Sequence, residues 1–189
     1  IDLFYAHKDD RSVPLEETVG AFSELVQDGT ALHVGCSNTM AWRIERARAI
    51  AGAARYCCVQ QRHSYLRPRP GANFEGQLAS SDELLDYVEN EGITLLAYAA
   101  LITGAYSRAD RPVPDGYAGP EADARLAALR EVAGETGATP NQVVLAWMMQ
   151  GTPPVIPLIG ASSEEQLAEN LGALEVELST EQLERLSAA

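Results

Sequence analysis

Five short, near-continuously apolar runs separated by amphipathic stretches constrain this chain more than any other feature. They read IDLFYAH (1–7), ALHVGCS (31–37), YCCVQQ (56–61), ITLLAY (93–98) and PPVIPLI (153–159). A strand with one wet face alternates apolar and polar residues. These runs do not, as expected of parallel strands covered on both faces. Between them the period changes to that of a helix. In 15–28, Leu15, Val19, Phe22, Leu25 and Val26 form one stripe, and Gly29 supplies a stop. Segment 39–52 carries Trp42, Ile44, Ala47 and Ile50. Segment 81–92 opens on a Ser/Asp cap and closes on glycine, and 120–150 holds two helices split at GATP. The last two helices, in 162–174 and 179–189, each open with a Ser/Thr-x-x-Glu/Gln capping box. The string βαβαβαβαβα predicts an α/β fold with a parallel sheet, in a single domain over 1–189. A doubly wound sheet and a (β/α)8 barrel both fit it. No Gly-x-Gly-x-x-Gly follows a strand, so a Rossmann dinucleotide site is unsupported.

Composition narrows the partners. A formal net charge of −13 repels phosphate backbones and anionic lipid, which argues against nucleic-acid and membrane binding. No run of apolar residues is long enough to span a bilayer, and no leader precedes the first strand, so a cytoplasmic location is expected. Cys36, Cys57 and Cys58 lack metal spacing and read as reduced core thiols; adjacent cysteines in a strand should point to opposite faces. No metal site is expected.

In parallel α/β folds the C-terminal strand ends share one face, and that face holds the site. The first run ends at His7, followed by Lys8, Asp9 and Asp10. The second gives Ser37 and Asn38, the third Gln60 and Gln61, the fourth Tyr98, and the fifth leads into GASSEEQ. Such a set suits a flat, polar heteroaromatic ligand bearing an amide. Gly160 permits close backbone approach and Ser162 or Ser163 caps the next helix, a common phosphate seat.

In collinear order these motifs resemble the aldo-keto reductases, (β/α)8 barrels that use a nicotinamide cofactor without a Rossmann domain. IDLFYAHKDD is similar to the family's fourth strand, ending in its catalytic histidine, here His7. ETVGAFSELVQDGTALHVGCSN resembles the next helix and strand, with Ser37 and Asn38 as the pair holding the nicotinamide amide. YCCVQQRHSYL aligns Gln60 with the amide-binding glutamine. EGITLLAYAALITG aligns Tyr98 with the tyrosine that stacks on the ring, with Leu101 and Gly104 beside it. VIPLIGASSEEQLAENLGAL resembles the eighth strand and adenosine-phosphate helix, implying cofactor contacts from Ile159, Gly160, Ser162, Gln166, Glu169 and Asn170. The resemblance implies a partial TIM barrel, strands four to eight with their helices. The implied activity is NAD(P)H-dependent reduction of an aldehyde or ketone to an alcohol.

The chain departs from the pattern. Of the family's Asp, Tyr, Lys and His tetrad only His7 has a counterpart, because the units that carry the others have no match here. The chain is therefore expected to lack the N-terminal part of the barrel and to be inactive alone. Ser-Pro after the stacking tyrosine is Ala99-Ala100. At the usual 2′-phosphate seat, Gly160 to Ser163 are followed by Glu164 and Glu165, so NADP(H) is the expected cofactor with NAD(H) tolerated. The implied substrate is a small-molecule carbonyl. Loops 62–80 and 99–119, with Tyr65, Arg67, Phe74, Tyr106 and Tyr117, would set its specificity. One alternative is a non-catalytic nicotinamide-nucleotide-binding or regulatory subunit of the same family. Another is an unrelated phosphate-binding barrel of the aldolase kind.

Overall fold

A computed structural model describes residues 1–52, 54–108 and 110–189. All five predicted strands form: β1 (Leu3–Ala6), β2 (His33–Ser37), β3 (Tyr56–Arg62), β4 (Thr94–Tyr98) and β5 (Val155–Pro157). Among the described residues seven α-helices accompany them: α1 (Leu15–Gln27), α2 (Ala41–Ile50), α3 (Asp82–Asn90), α4 (Pro120–Thr136), α5 (Pro140–Gln150), α6 (Glu164–Leu171) and α7 (Thr180–Ala188). The sheet order is β1-β2-β3-β4-β5. A doubly wound sheet reverses its strand order at a switch point, and this sheet does not. Of the two architectures open to the sequence, the barrel's sequential order is the one observed.

The chain divides into two compact units, one of Ile1–Arg62 with Gly76–Leu96 and one of His63–Glu75 with Ala97–Ala189. In the first, β1, β2 and β3 pair in parallel, with Tyr5 opposite Gly35 and Ser37 opposite Gln60. The helix-covered face packs Phe4 against Phe22 of α1 at 5.5 Å and Phe22 against Tyr56 at 6.1 Å. Val34, Cys36, Ile44 and Val59 complete this core. Trp42 and Ile50, on the predicted stripe of α2, are instead exposed, and Trp42 lies under the Arg11 guanidinium at 5.2 Å. The apolar stripe of α2 is thus narrower than its spacing suggests.

The adjacent cysteines also differ from expectation. Val34 pairs with Tyr56 while Cys36 pairs with Val59, so β3 carries an extra residue, a β-bulge. The two cysteines differ in burial, Cys58 buried and Cys57 exposed rather than in the core as expected, yet their sulfurs lie 3.8 Å apart, both as free thiols. The Cys58 thiol reaches the Tyr5 hydroxyl at 3.5 Å, and burial raises the pKa of both groups. Gly35 makes room for them. A Cβ there would lie 2.5 Å from the Cys58 sulfur and 2.8 Å from the Tyr5 ring. Gly35→Ala is therefore expected to destabilise the fold by about 1–2 kcal/mol through overpacking, measurable by urea denaturation; an unchanged midpoint would contradict this packing.

The second unit is built around Tyr65, Leu66, Leu129, Val143, Leu145, Met148 and Leu186. α5 starts with a capping box in which Thr139 accepts from Gln142 N–H and the Gln142 side chain accepts from Thr139 N–H. Ser179 and Gln182 form the expected box on α7. At α6 only half of the expected box forms: Ser163 accepts from Gln166 N–H, but the Gln166 side chain turns to Ser162. Tyr65, Tyr106 and Tyr117, expected on substrate-facing loops, are instead buried. Tyr65 packs edge-on to Tyr106, and Phe74 tilts against Tyr117 at 5.4 Å. Aromatic rings in these loops hold the loops down rather than presenting a surface.

Candidate functional site

In the first unit the strand ends gather polar groups. His7 follows directly on β1 and is exposed. The charged residues behind it shape its turn. The Asp9 carboxylate accepts from Arg43 Nε of α2 at 2.6 Å and from Arg11, with both Asp9 and Arg43 largely buried. Asp10 accepts from the Ser12 backbone N–H at 2.9 Å and the Ser12 hydroxyl at 2.6 Å, which holds its carboxyl below the usual range. Two acidic residues thus tie down the segment that carries His7.

Ser37, Asn38 and Gln60 come together as the parallel pairing requires. Asn38 has φ 51°, in the left-handed region that asparagine tolerates better than most residues. From there its backbone N–H donates to Gln60 O at 3.2 Å, and its amide donates to Ser37 Oγ at 3.0 Å. Its side-chain oxygen accepts from Leu78 N–H at 2.9 Å. Ser37 is fully buried and Gln60 partly exposed. Gln61, on the opposite face, is buried.

The second unit contains a cleft of about 530 Å³, a size typical of small-molecule sites. One wall is the loop after β4, with Leu101 and Gly104. The other is the loop after β5, with Ile159, Gly160 and Ser162, continued by Gln166, Glu169 and Asn170 of α6. Eight sequence-selected positions therefore line one space. Tyr98, at the end of β4, is not among its walls. The first wall has an unusual backbone: Ala99, Ile102 and Thr103 all have positive φ, at 57°, 44° and 54°. Non-glycine residues there store local strain, which tends to collect at binding sites.

The polar groups of the cleft are tied in place. Gln166 Oε1 accepts from both the N–H and hydroxyl of Ser162, at 2.9 and 3.0 Å. Glu169 accepts from the Thr139 hydroxyl at 2.9 Å, locking α6 onto the start of α5. Arg108 and Asn141 are among the lining residues that escaped the sequence reading. Arg108 is the one cation among the lining residues, held by a two-point pair with Asp110 at 3.0 and 2.6 Å. Asn141, in the first turn of α5, is buried with its Oδ1 lacking a hydrogen-bond partner. Only its place after a Thr-Pro helix start could have hinted at it. Glu164 and Glu165, expected to repel a second phosphate, are exposed and do not line the cleft.

These features fit a nucleotide bearing phosphate: a serine at a helix N-terminus, a cation, and a buried amide seeking a donor. Among the described residues no cluster of histidine, cysteine and acidic side chains could hold a metal ion. No helix among them is long and apolar enough to cross a membrane.

The whole chain, residues 1–189, matches the model of the aldo/keto reductase family. It is 33% identical to norsolorinic acid reductase stcV of Emericella nidulans over 97% of this chain and 47% of that protein. It is 32% identical to a Schizosaccharomyces pombe protein named as a voltage-gated potassium channel subunit beta, over 93% of this chain and 54% of that one. Among solved structures it is similar to the thermostable aldo-keto reductase Tm1743, crystallised with the inhibitor epalrestat. That match has a TM-score of 0.78 and 28% identity, covering 100% of this chain and 59% of the other. The chain thus spans about half the length of the curated relatives it matches.

Proposed function

The chain belongs to the aldo/keto reductase family, and from that premise we propose that it is the cofactor-binding part of an NAD(P)H-dependent oxidoreductase. The reaction is reduction of a small aldehyde or ketone to an alcohol. The observation that carries this reading is the cleft of the second unit. Its walls include eight residues that the family pattern implies for the cofactor: Leu101, Gly104, Ile159, Gly160, Ser162, Gln166, Glu169 and Asn170. Ser37, Asn38 and Gln60 take the carboxamide, and Tyr98 stacks on the ring. NADP(H) is the cofactor, with NAD(H) tolerated; when bound in reduced form it supplies the hydride. His7 hydrogen-bonds the substrate carbonyl and orients it.

In this reading the five βα units are the fourth to eighth of a barrel. Two observations support it: the relatives are about twice as long, and the outermost strands expose Phe4 and Ile156. The aspartate, tyrosine and lysine belong to the other three units, in a protein of the cytoplasm. The 189-residue chain is accordingly expected to bind NADPH without oxidising it when an aldehyde is added. Turnover by the chain alone would overturn this division of labour. In a barrel completed with three N-terminal units of a relative, His7→Ala is expected to lower kcat about 100-fold with NADPH affinity unchanged. Equal turnover by the variant would remove His7 from the reaction.

The resemblance to a protein named as a channel subunit favours a second reading, a non-catalytic nucleotide-binding subunit. A completed barrel that binds NADPH but reduces no carbonyl would select it.

A further inference from the structure

We propose that Arg108 is the residue that selects between phosphorylated and unphosphorylated cofactor, and that Asp110 tunes this selection by competing for its guanidinium. This rests on the cleft being a nucleotide site, as proposed above. The turn after β5 offers a second phosphate no cation, since Gly160, Ala161 and Ser162 are its lining residues. Judged from that turn alone, discrimination should be weak. The cation comes from elsewhere. Arg108 reaches the same cleft from the loop after β4, and it is the one lysine or arginine lining it. The carboxylates of Glu164 and Glu165 do not line the cleft; that of Glu169 does, and it accepts from the Thr139 hydroxyl at 2.9 Å.

Arg108 is suited to the task. A planar guanidinium binds phosphate through two parallel hydrogen bonds, and Asp110 already engages it in that two-point manner through Nε and Nη2. The carboxylate and a phosphate would use the same two donors, so one must yield to the other. The pair is exposed, with side chains 47% and 65% accessible, and exposed pairs hold each other weakly. A phosphate dianion carries more charge than a carboxylate and can displace it. Gly104 keeps the stem of Arg108 close to the wall, because a Cβ at that position would lie 3.2 Å from its Cδ. Asn141 is an independent sign that the cleft takes a polar ligand. It is nine-tenths buried, it lines the same space, and its Oδ1 has no partner. Such orphaned groups are rare in folded proteins.

The test uses the 189-residue chain and two probes without nicotinamide, adenosine 2′,5′-bisphosphate and AMP, titrated by calorimetry. Wild-type protein is expected to bind the bisphosphate about 10–100-fold more tightly than AMP. Arg108→Gln should lose most of that ratio while AMP affinity changes little, and Arg108→Lys should retain part of it. Asp110→Asn should raise bisphosphate affinity several-fold, a gain that a damaged fold would not produce. A wild-type ratio near one, or equal loss of both probes in Arg108→Gln, would overturn the proposal and leave the nucleotide cleft standing. Binding of neither probe to wild type would overturn the cleft reading and this proposal together.

Discussion

Arg125→Ala is expected to cost the protein about 3–4 kcal/mol of stability. Arg125 is 1% exposed. Its guanidinium is held by main-chain oxygens and a ring. Nε donates to Tyr65 O at 2.7 Å, Nη1 donates to Ala189 O at 2.8 Å, and the guanidinium lies 4.4 Å over the Tyr65 ring. Tyr65 returns a hydrogen bond from its hydroxyl to Arg125 O at 3.0 Å. Hydrogen bonds from a charged donor contribute about 1.5–3 kcal/mol each, and a desolvated cation–π contact adds about 2. Desolvation of the charge offsets part of this, and burial pulls the Arg125 pKa down. Truncation to alanine also leaves a cavity. Arg125→Met fills much of that cavity and isolates the polar share, which should be about half of the loss. Denaturant midpoints for the two variants check this; a neutral Arg125→Met would mean that the polar contacts only cancel the cost of burial.

Acidification from pH 7 to pH 4 is expected to remove about 2–3 kcal/mol through His63 alone. The ring stacks on Trp147 at 6.0 Å and 9°. Burial, with a smaller push from Arg125, lowers its pKa from 6.5 to about 4. The folded protein therefore keeps His63 neutral where the unfolded chain already binds a proton. Stability from this group is whole above pH 6.5, falls as the pH drops toward 4, and is flat below that. His63→Gln should lose this part of the pH dependence, read as the difference between wild-type and variant stability curves. Parallel curves from pH 7 to 4 would contradict it. Because Arg125 contributes to the shift, Arg125→Ala should also narrow the wild-type window.

The fold was legible wherever periodicity carried it. Continuous apolar runs placed the five strands, because burial on both faces of a parallel sheet leaves no other pattern, and helical stripes and caps placed the described α-helices. The sequence could not separate barrel from doubly wound sheet, since strand order is a property of pairing rather than of any one strand. The bulge at Cys57 and Cys58 was equally hidden, being a mismatch in length between β2 and β3. The strand-end positions of His7, Ser37, Asn38 and Gln60 were legible because these residues close or directly follow the apolar runs. Positions where distant segments meet were not legible. Arg108 is six residues beyond Ile102 in a loop without periodicity, and Asn141 looks like an ordinary first-turn residue of a helix. The buried tyrosines misled in the other direction, because loop aromatics read as surface until their partners are known.

Amide hydrogen exchange on the 189-residue chain, with and without saturating NADPH, tests the central claim most directly. The account predicts strong protection in 99–108 and 158–170, the two walls of the cleft, with α2 unchanged. Protection absent from both walls, with NADPH bound elsewhere or not at all, would contradict it.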